Sequence, residues 1–131
     1  MSGSWIVGGA LRDELLGREV TDIDIAVEGD PQTAARELAK ELRGPVFRLS
    51  EAFGAWRVVD RNSGHVYDFA PLQGATIEDD LRKRDFTVNA MARPREGGDL
   101  IDPLGGRADI ESRTLRVIGR ASCRERVCLV V

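Results

Sequence analysis

The chain has 131 residues, of which 42% are hydrophobic and 31% charged, enough for one domain with its own core. That mixture excludes a disordered chain, and no apolar run approaches the length of a membrane-spanning helix. The formal net charge of −3 opposes a basic face for a phosphate backbone, so such a partner is either held by sequence outside this chain or is not the partner. No basic segment followed by an apolar run opens the chain, so we expect no secretory signal and a cytoplasmic location.

Ile6-Val7 reads as the end of a short strand, Gly8-Gly9 as a turn, and residues 10–16 as a short helix. Leu11 and Leu15 face inward at i, i+4, and Gly17 stops the helix. Residues 22–28 read as a strand closed by Gly29. Asp30-Pro31 is a strong helix start, an N-cap followed by proline at the first helical position. That helix runs to about Leu42, with Ala34, Leu38 and Leu42 on one stripe, and Gly44-Pro45 ends it. Three strand candidates follow at 46–49, 55–60 and 65–70. Arg61-Asn62-Ser63-Gly64 forms a hairpin turn between the last two. Thr76-Ile77-Glu78-Asp79 is a capping-box start with Asp in place of Glu, and predicts a short helix over 78–84. Residues 88–92 are compatible with helix or strand. Gly97-Gly98 is a turn, and Leu100-Ile101 and residues 115–118 are short apolar segments. Helices and strands mix without a regular βαβ alternation. That order suits an α+β domain, a mixed β-sheet with helices packed mainly on one side.

The richest chemistry lies near the start. A strand places alternate residues on one face, so Asp22 and Asp24 share a face while Ile23, Ile25 and Val27 take the other. Paired carboxylates offer the hard oxygen ligands that Mg²⁺ prefers. Asp68 is the candidate third carboxylate, because it interrupts an apolar strand where a bare aspartate is costly to bury. Three adjacent carboxylates repel one another unless cations neutralise them, so the set argues for metal if the three meet. An isolated Asp-x-Asp is as a rule a solvated strand face, and Asp68 has the alternative of an ordinary salt bridge. Just upstream, Gly8 and Gly9 let backbone approach a phosphate at a helix N-terminus, and Arg12 brings a planar guanidinium. Asp13 is assigned a structural role, tethering Arg12 or capping the helix.

These segments resemble the nucleotidyltransferases of the DNA polymerase beta superfamily, and within them the class II CCA-adding tRNA nucleotidyltransferases and bacterial poly(A) polymerases. Three ordered motifs carry the resemblance. The first is Gly8, Gly9, Arg12, Asp13, Leu15, Leu16 and Gly17, followed by Asp22 and Asp24. The second is Lys83-Arg84-Asp85-Phe86-Thr87-Val88-Asn89-Ala90. The third is Asp102-Pro103-Leu104-Gly105-Gly106, with Asp109 and Arg113 beyond. The match runs from about residue 6 to residue 118. It implies a polymerase-beta-like catalytic head over residues 1–118 and Mg²⁺-dependent transfer of AMP or CMP from ATP or CTP to an RNA 3′-end, tRNA above all. The resemblance also implies that most RNA contacts and the choice of base belong to domains after the head, which accommodates the acidic balance.

In this family the second motif binds nucleotide. By resemblance Arg84 is a triphosphate contact, Asn89 a hydrogen-bonding group for sugar or phosphate, and Asp85 part of the same cluster; a local Arg84–Asp85 ion pair is the plainer alternative. Lys83 replaces the first arginine of the family pair and loses its fork geometry. Phe86 is assigned to the core. Asp102-Pro103, Gly105-Gly106, Asp109 and Arg113 are read as scaffolding, the last two spaced to pair along a helix.

Residues 119–131 carry no motif of the family. We expect this tail to be non-native, since 118–127 reads as one frame of a sequencing-adapter oligonucleotide, or else the truncated start of a further domain. Cys123 and Cys128 both fall in it, and with no second pair they make a poor zinc site.

Overall fold

The computed structural model describes residues 3–118; the tail, with Cys123 and Cys128, lies outside them. Six strands form one sheet, β1 (Ser4–Val7), β2 (Asp22–Val27), β3 (Val46–Ser50), β4 (Ala55–Val59), β5 (Val66–Pro71) and β6 (Ala92–Pro94). Their order across the sheet is β3-β4-β5-β2-β1-β6. β2 and β5 run parallel, and every other neighbouring pair is antiparallel. The mixed sheet expected from the sequence is thus present, with β2 near its middle. Among the described residues four helices accompany it, α1 (Gly9–Leu15), α2 (Pro31–Leu42), α3 (Ile77–Arg82) and α4 (Gly106–Glu111), with a 3-10 turn at Thr87–Asn89. The segment compatible with helix or strand divides into that turn and β6.

The alternation along β2 divides the core in two. Ile25 and Val27 pack with Phe69, Val58, Ala35 and Ala39, so α2 closes that face. The Asp30 carboxylate accepts hydrogen bonds from the Gln32 N–H at 3.3 Å and the Thr33 hydroxyl at 2.7 Å, starting α2 where the sequence indicates. On the other face Ala26 packs with Val7, Ala90, Ala92 and the α3 residues Ile77 and Leu81. This second core covers only the Ala26 end of β2. Asp22 and Asp24, on the same face, remain in contact with solvent.

α4 is fixed from both ends. The Asp102 carboxylate accepts from the Gly106 and Arg107 N–H groups at 2.7 and 3.0 Å, a cap on the helix start. Asp109 is buried, accepts from the Thr87 hydroxyl and pairs with Arg116 at 3.3 Å. The scaffolding reading of this motif holds, with a different geometry from that expected. α4 ends at Glu111, and Arg113 stands beyond it in the left-handed region at φ 54°. The apolar segment near the end returns to the second motif, where Phe86 bridges Val117 and the Ile118 N–H donates to the Asp85 carbonyl at 2.7 Å.

Candidate active site

The parallel pairing of β2 with β5 sets Asp24 opposite Asp68. Asp22 lies one pleat away from Asp24 on the same face. Antiparallel pairing with β1 sets Val7 opposite Asp24, so the chain leaves β1 at Gly8 beside that carboxylate. Gly8 has φ 73°, and a Cβ there would stand 3.4 Å from Arg84 Nη1 and 3.8 Å from Asp24 Oδ2. Those distances are ordinary contacts, so it is the positive φ that favours glycine here. Gly8 then serves as N-cap residue for α1.

Arg12 projects from α1 and is held on two sides. Its Nε donates to Asp13 Oδ1 at 3.0 Å, and its Nη1 donates to Asn89 Oδ1 at 2.8 Å. Asp13 therefore tethers Arg12, as expected. The Arg12–Asn89 bond joins the first and second motifs across 77 residues of chain. Asn89 Nδ2 in turn donates to Asp85 Oδ1 at 3.3 Å, and that oxygen also accepts from the Phe86 N–H at 2.8 Å.

Arg84 pairs with Asp80, and the local Arg84–Asp85 pair considered from the sequence is replaced. Asp80 is only 2% exposed, and its Oδ1 accepts from Arg84 Nε at 3.2 Å and Nη2 at 2.9 Å. Its other oxygen accepts from the Gln73 N–H at 2.9 Å. Sequence reasoning missed Asp80 as a positioning residue. The signal was present: Asp80 falls on the inward side of α3 with Ile77 and Leu81, four residues before Arg84, and a charge on an inward stripe needs a partner.

Asp68 does not stand free beside Asp24. Arg57 on β4 donates to both of its oxygens, Nε to Oδ1 at 2.7 Å and Nη2 to Oδ2 at 2.9 Å. The sequence analysis did not pick out Arg57, because cross-strand register is invisible in a linear pattern. Among the described residues no three carboxylate, imidazole or thiol side chains are gathered as a ready metal cage. The three aspartates share one face, with Asp68 turned to Arg57. They fit a divalent cation in donor type and accessibility: hard oxygens, with Asp22 and Asp24 open to solvent.

The Asp24 carboxyl is pushed above the ordinary carboxylate range, first by the protein packed around it, next by the charges of Asp68 and Asp22; Arg84 and Arg57 pull it back in part. A carboxylate whose folded pKa is raised above its unfolded value weakens the fold above that raised pKa and ceases to do so below the unfolded value. Asp24→Asn is therefore expected to raise the metal-free melting temperature at neutral pH. The gain should vanish as pH falls through the Asp24 titration. Thermal melts of both chains from neutral pH to about pH 3 check this; a variant that melts lower at neutral pH contradicts it.

Gly8, Gly9, Arg12, Asp24, Arg84, Asp85 and Asn89 line one polar cleft of about 340 Å³. Every residue expected to hold nucleotide is in it. Asp22 and Asp68 lie outside that lining and are placed by the strands beside it. A larger cavity of about 670 Å³ adjoins, sharing Arg12 and Asn89 and walled by Phe86, Val88, Ile110 and Leu115. Phe86, assigned to the core, is half-buried and forms part of this wall.

A mixed sheet with this polar cleft beside its β1 and β2 strands is a polymerase-beta-like head. The model of the Poly A polymerase head domain matches residues 4–74 and 69–116, and the chain belongs to that family. A CC-adding tRNA nucleotidyltransferase of Geobacter sulfurreducens is 48% identical over 114 residues, which are 87% of this chain and 26% of that protein. An A-adding tRNA nucleotidyltransferase of Deinococcus radiodurans is also 48% identical, over 93% of this chain and 27% of its own length. A crystal structure of a tRNA nucleotidyltransferase with a primer tRNA and an incoming ATP analog superposes with a TM-score of 0.81 at 36% identity, covering 92% of this chain and 37% of that one. The chain thus spans about a quarter to a third of the curated relatives it matches. Among the described residues no helix is long and apolar enough to cross a membrane.

Proposed function

We propose that this chain is the catalytic head of a cytosolic enzyme that transfers AMP or CMP from ATP or CTP to an RNA 3′-end, tRNA foremost, releasing pyrophosphate. Mg²⁺ is the cofactor of this reading, and residues 1–118 are the head. The observation that carries it is the polar cleft in which two distant motifs meet, with Asp24 on its wall. Support also comes from relatives named for CC and A addition to tRNA, and from a solved tRNA-processing enzyme with CTP that superposes at a TM-score of 0.82.

Each polar group has a part. Arg84, fixed by Asp80, turns toward Gly8 and Asp24 and meets phosphate oxygens there. Arg12, fixed by Asp13 and Asn89, presents a second cation to the same cleft. Asn89 and Asp85 offer hydrogen bonds at the mouth of the larger cavity, toward which the nucleoside extends. Asp22, Asp24 and Asp68 would hold Mg²⁺. When bound, it supplies positive charge at the attacking hydroxyl and at the departing pyrophosphate. Selection of base and most contacts to RNA belong, in this reading, to sequence that the relatives carry beyond the matched region. That explains how an acidic head serves an RNA enzyme.

Calorimetric titration with Mg-ATP and Mg-CTP tests the assignment, beside an Asp22→Asn/Asp24→Asn double variant. Comparable binding of both nucleotides by the wild-type chain, falling at least about tenfold in a folded double variant, is the expected result. A folded wild-type chain that takes up neither nucleotide would remove the reading.

A further inference from the structure

The unexplained group at this site is Arg57. It lies on β4 opposite Asp68, and Asp68 lies opposite Asp24. Arg57, Asp68 and Asp24 therefore form a row across three adjacent strands, with Asp22 next along β2. Two guanidiniums bear on this row. Arg84 is committed to the buried carboxylate of Asp80. Arg57, by contrast, spends its fork on a member of the row itself, at 2.7 and 2.9 Å. Its side chain is 35% exposed, so it is not trapped there by packing.

The electrostatics agree with that placement. Arg57 lies within reach of the charges of Asp68, Asp22 and Asp24 alike. A bidentate guanidinium fixes both the position and the plane of a carboxylate. It also sets one unit of positive charge against the repulsion among the aspartates of the row. A divalent ion entering the row needs the same oxygens and meets that charge.

We propose that Arg57 is the resident counter-cation of this carboxylate row: it holds Asp68 beside Asp24 while no divalent ion is bound, and it lowers the affinity for that ion by competing for Asp68. The inference rests on the reading of Asp22, Asp24 and Asp68 as the metal-holding set. It predicts opposite effects on two properties of one variant. Loss of the Arg57 charge weakens the metal-free fold, by leaving Asp68 half-buried without a partner, and strengthens divalent-ion uptake. A guanidinium that served only the fold would show the first effect without the second.

Titration of the full chain with Mn²⁺, following loss of the free-ion electron paramagnetic resonance signal, measures uptake directly without any catalytic assay. Arg57→Met removes the charge and keeps an unbranched stem. Arg57→Gln does so while keeping a donor for Asp68, and serves if the first variant fails to fold. Both are expected to bind Mn²⁺ about tenfold tighter than wild type, whereas Arg57→Lys, which keeps the charge, should stay within about twofold. The metal-free melting temperature of Arg57→Met should fall, with most of the loss recovered in saturating Mn²⁺. Unchanged or weaker Mn²⁺ binding in folded Met and Gln variants, with wild-type binding abolished by Asp24→Asn, would overturn the role of Arg57 alone. Tightening in Arg57→Lys equal to that in Arg57→Met would also overturn it, by tracing the effect to fork geometry and not to charge. Absence of Mn²⁺ binding in the wild type and in every Arg57 variant would instead overturn the metal reading beneath it.

Discussion

Asp80→Ala is expected to lower stability by about 3 kcal/mol, as the loss of one partner from a buried ion pair does. Asp80 is 2% exposed and holds three donors, two from Arg84 and one from the Gln73 backbone. Alanine leaves the Gln73 N–H without its acceptor and Arg84 without its anion. The effect sits at the low end of the range for buried pairs because the Arg84 side chain is 28% exposed and can turn to water. That escape links stability to function, since an Arg84 that turns to water no longer faces Gly8 and Asp24. Asp80→Asn separates the two consequences. It keeps the size and one acceptor, so its stability loss should be about 1–2 kcal/mol, while Mg-ATP binding falls about tenfold. Urea unfolding and calorimetry on the same preparations measure both. Wild-type nucleotide affinity in Asp80→Asn would show that Arg84 needs no positioning from α3.

Gly106→Ala is the second large effect. A Cβ on Gly106 would stand 2.2 Å from the Thr87 carbonyl oxygen and 3.0 Å from its carbon, both backbone atoms. Neither can move aside as a side-chain tip would. The Thr87 N–H is already bonded to the Arg116 carbonyl at 3.0 Å, and the Thr87 hydroxyl is bonded to Asp109. A loss of about 3 kcal/mol is expected, at the upper end of the usual cost of overpacking. Thr87 begins the 3-10 turn that ends at Asn89, so displacement here reaches the Arg12–Asn89 bond and should weaken nucleotide binding as well. The neighbouring glycine supplies the control. Gly105 has φ 77° and nothing within 4 Å of a Cβ, so Gly105→Ala should cost only the left-handed conformation, about 1–2 kcal/mol. Equal losses at the two positions, read from denaturant midpoints, would contradict the close approach of α4 to the 3-10 turn.

Local chemistry made much of this domain legible in the chain. Asp30-Pro31 starts α2 as expected because a cap and a proline act within one turn. Asp22 and Asp24 share a face because a strand alternates. The glycine of Gly8 is explained by its φ of 73°. The residues assigned to nucleotide from the two motifs do line one cleft. Asp80 was readable in principle, from a carboxylate on an inward helical stripe.

Periodicity, caps and turn residues act over a few neighbours, so the chain alone was enough for most of the elements, the shared face of Asp22 and Asp24, and the residue types at the site. Pairings between distant strands depend on register and topology, which no local pattern encodes. The parallel match of β2 to β5 put Asp68 beside Asp24. The antiparallel match of β4 to β5 gave that carboxylate to Arg57. Packing of α1 against the 3-10 turn brought Arg12 to Asn89, 77 residues away. Whether three aspartates stand open to a cation or share their charge with a guanidinium is a question of angstroms between strands, and folding settled it.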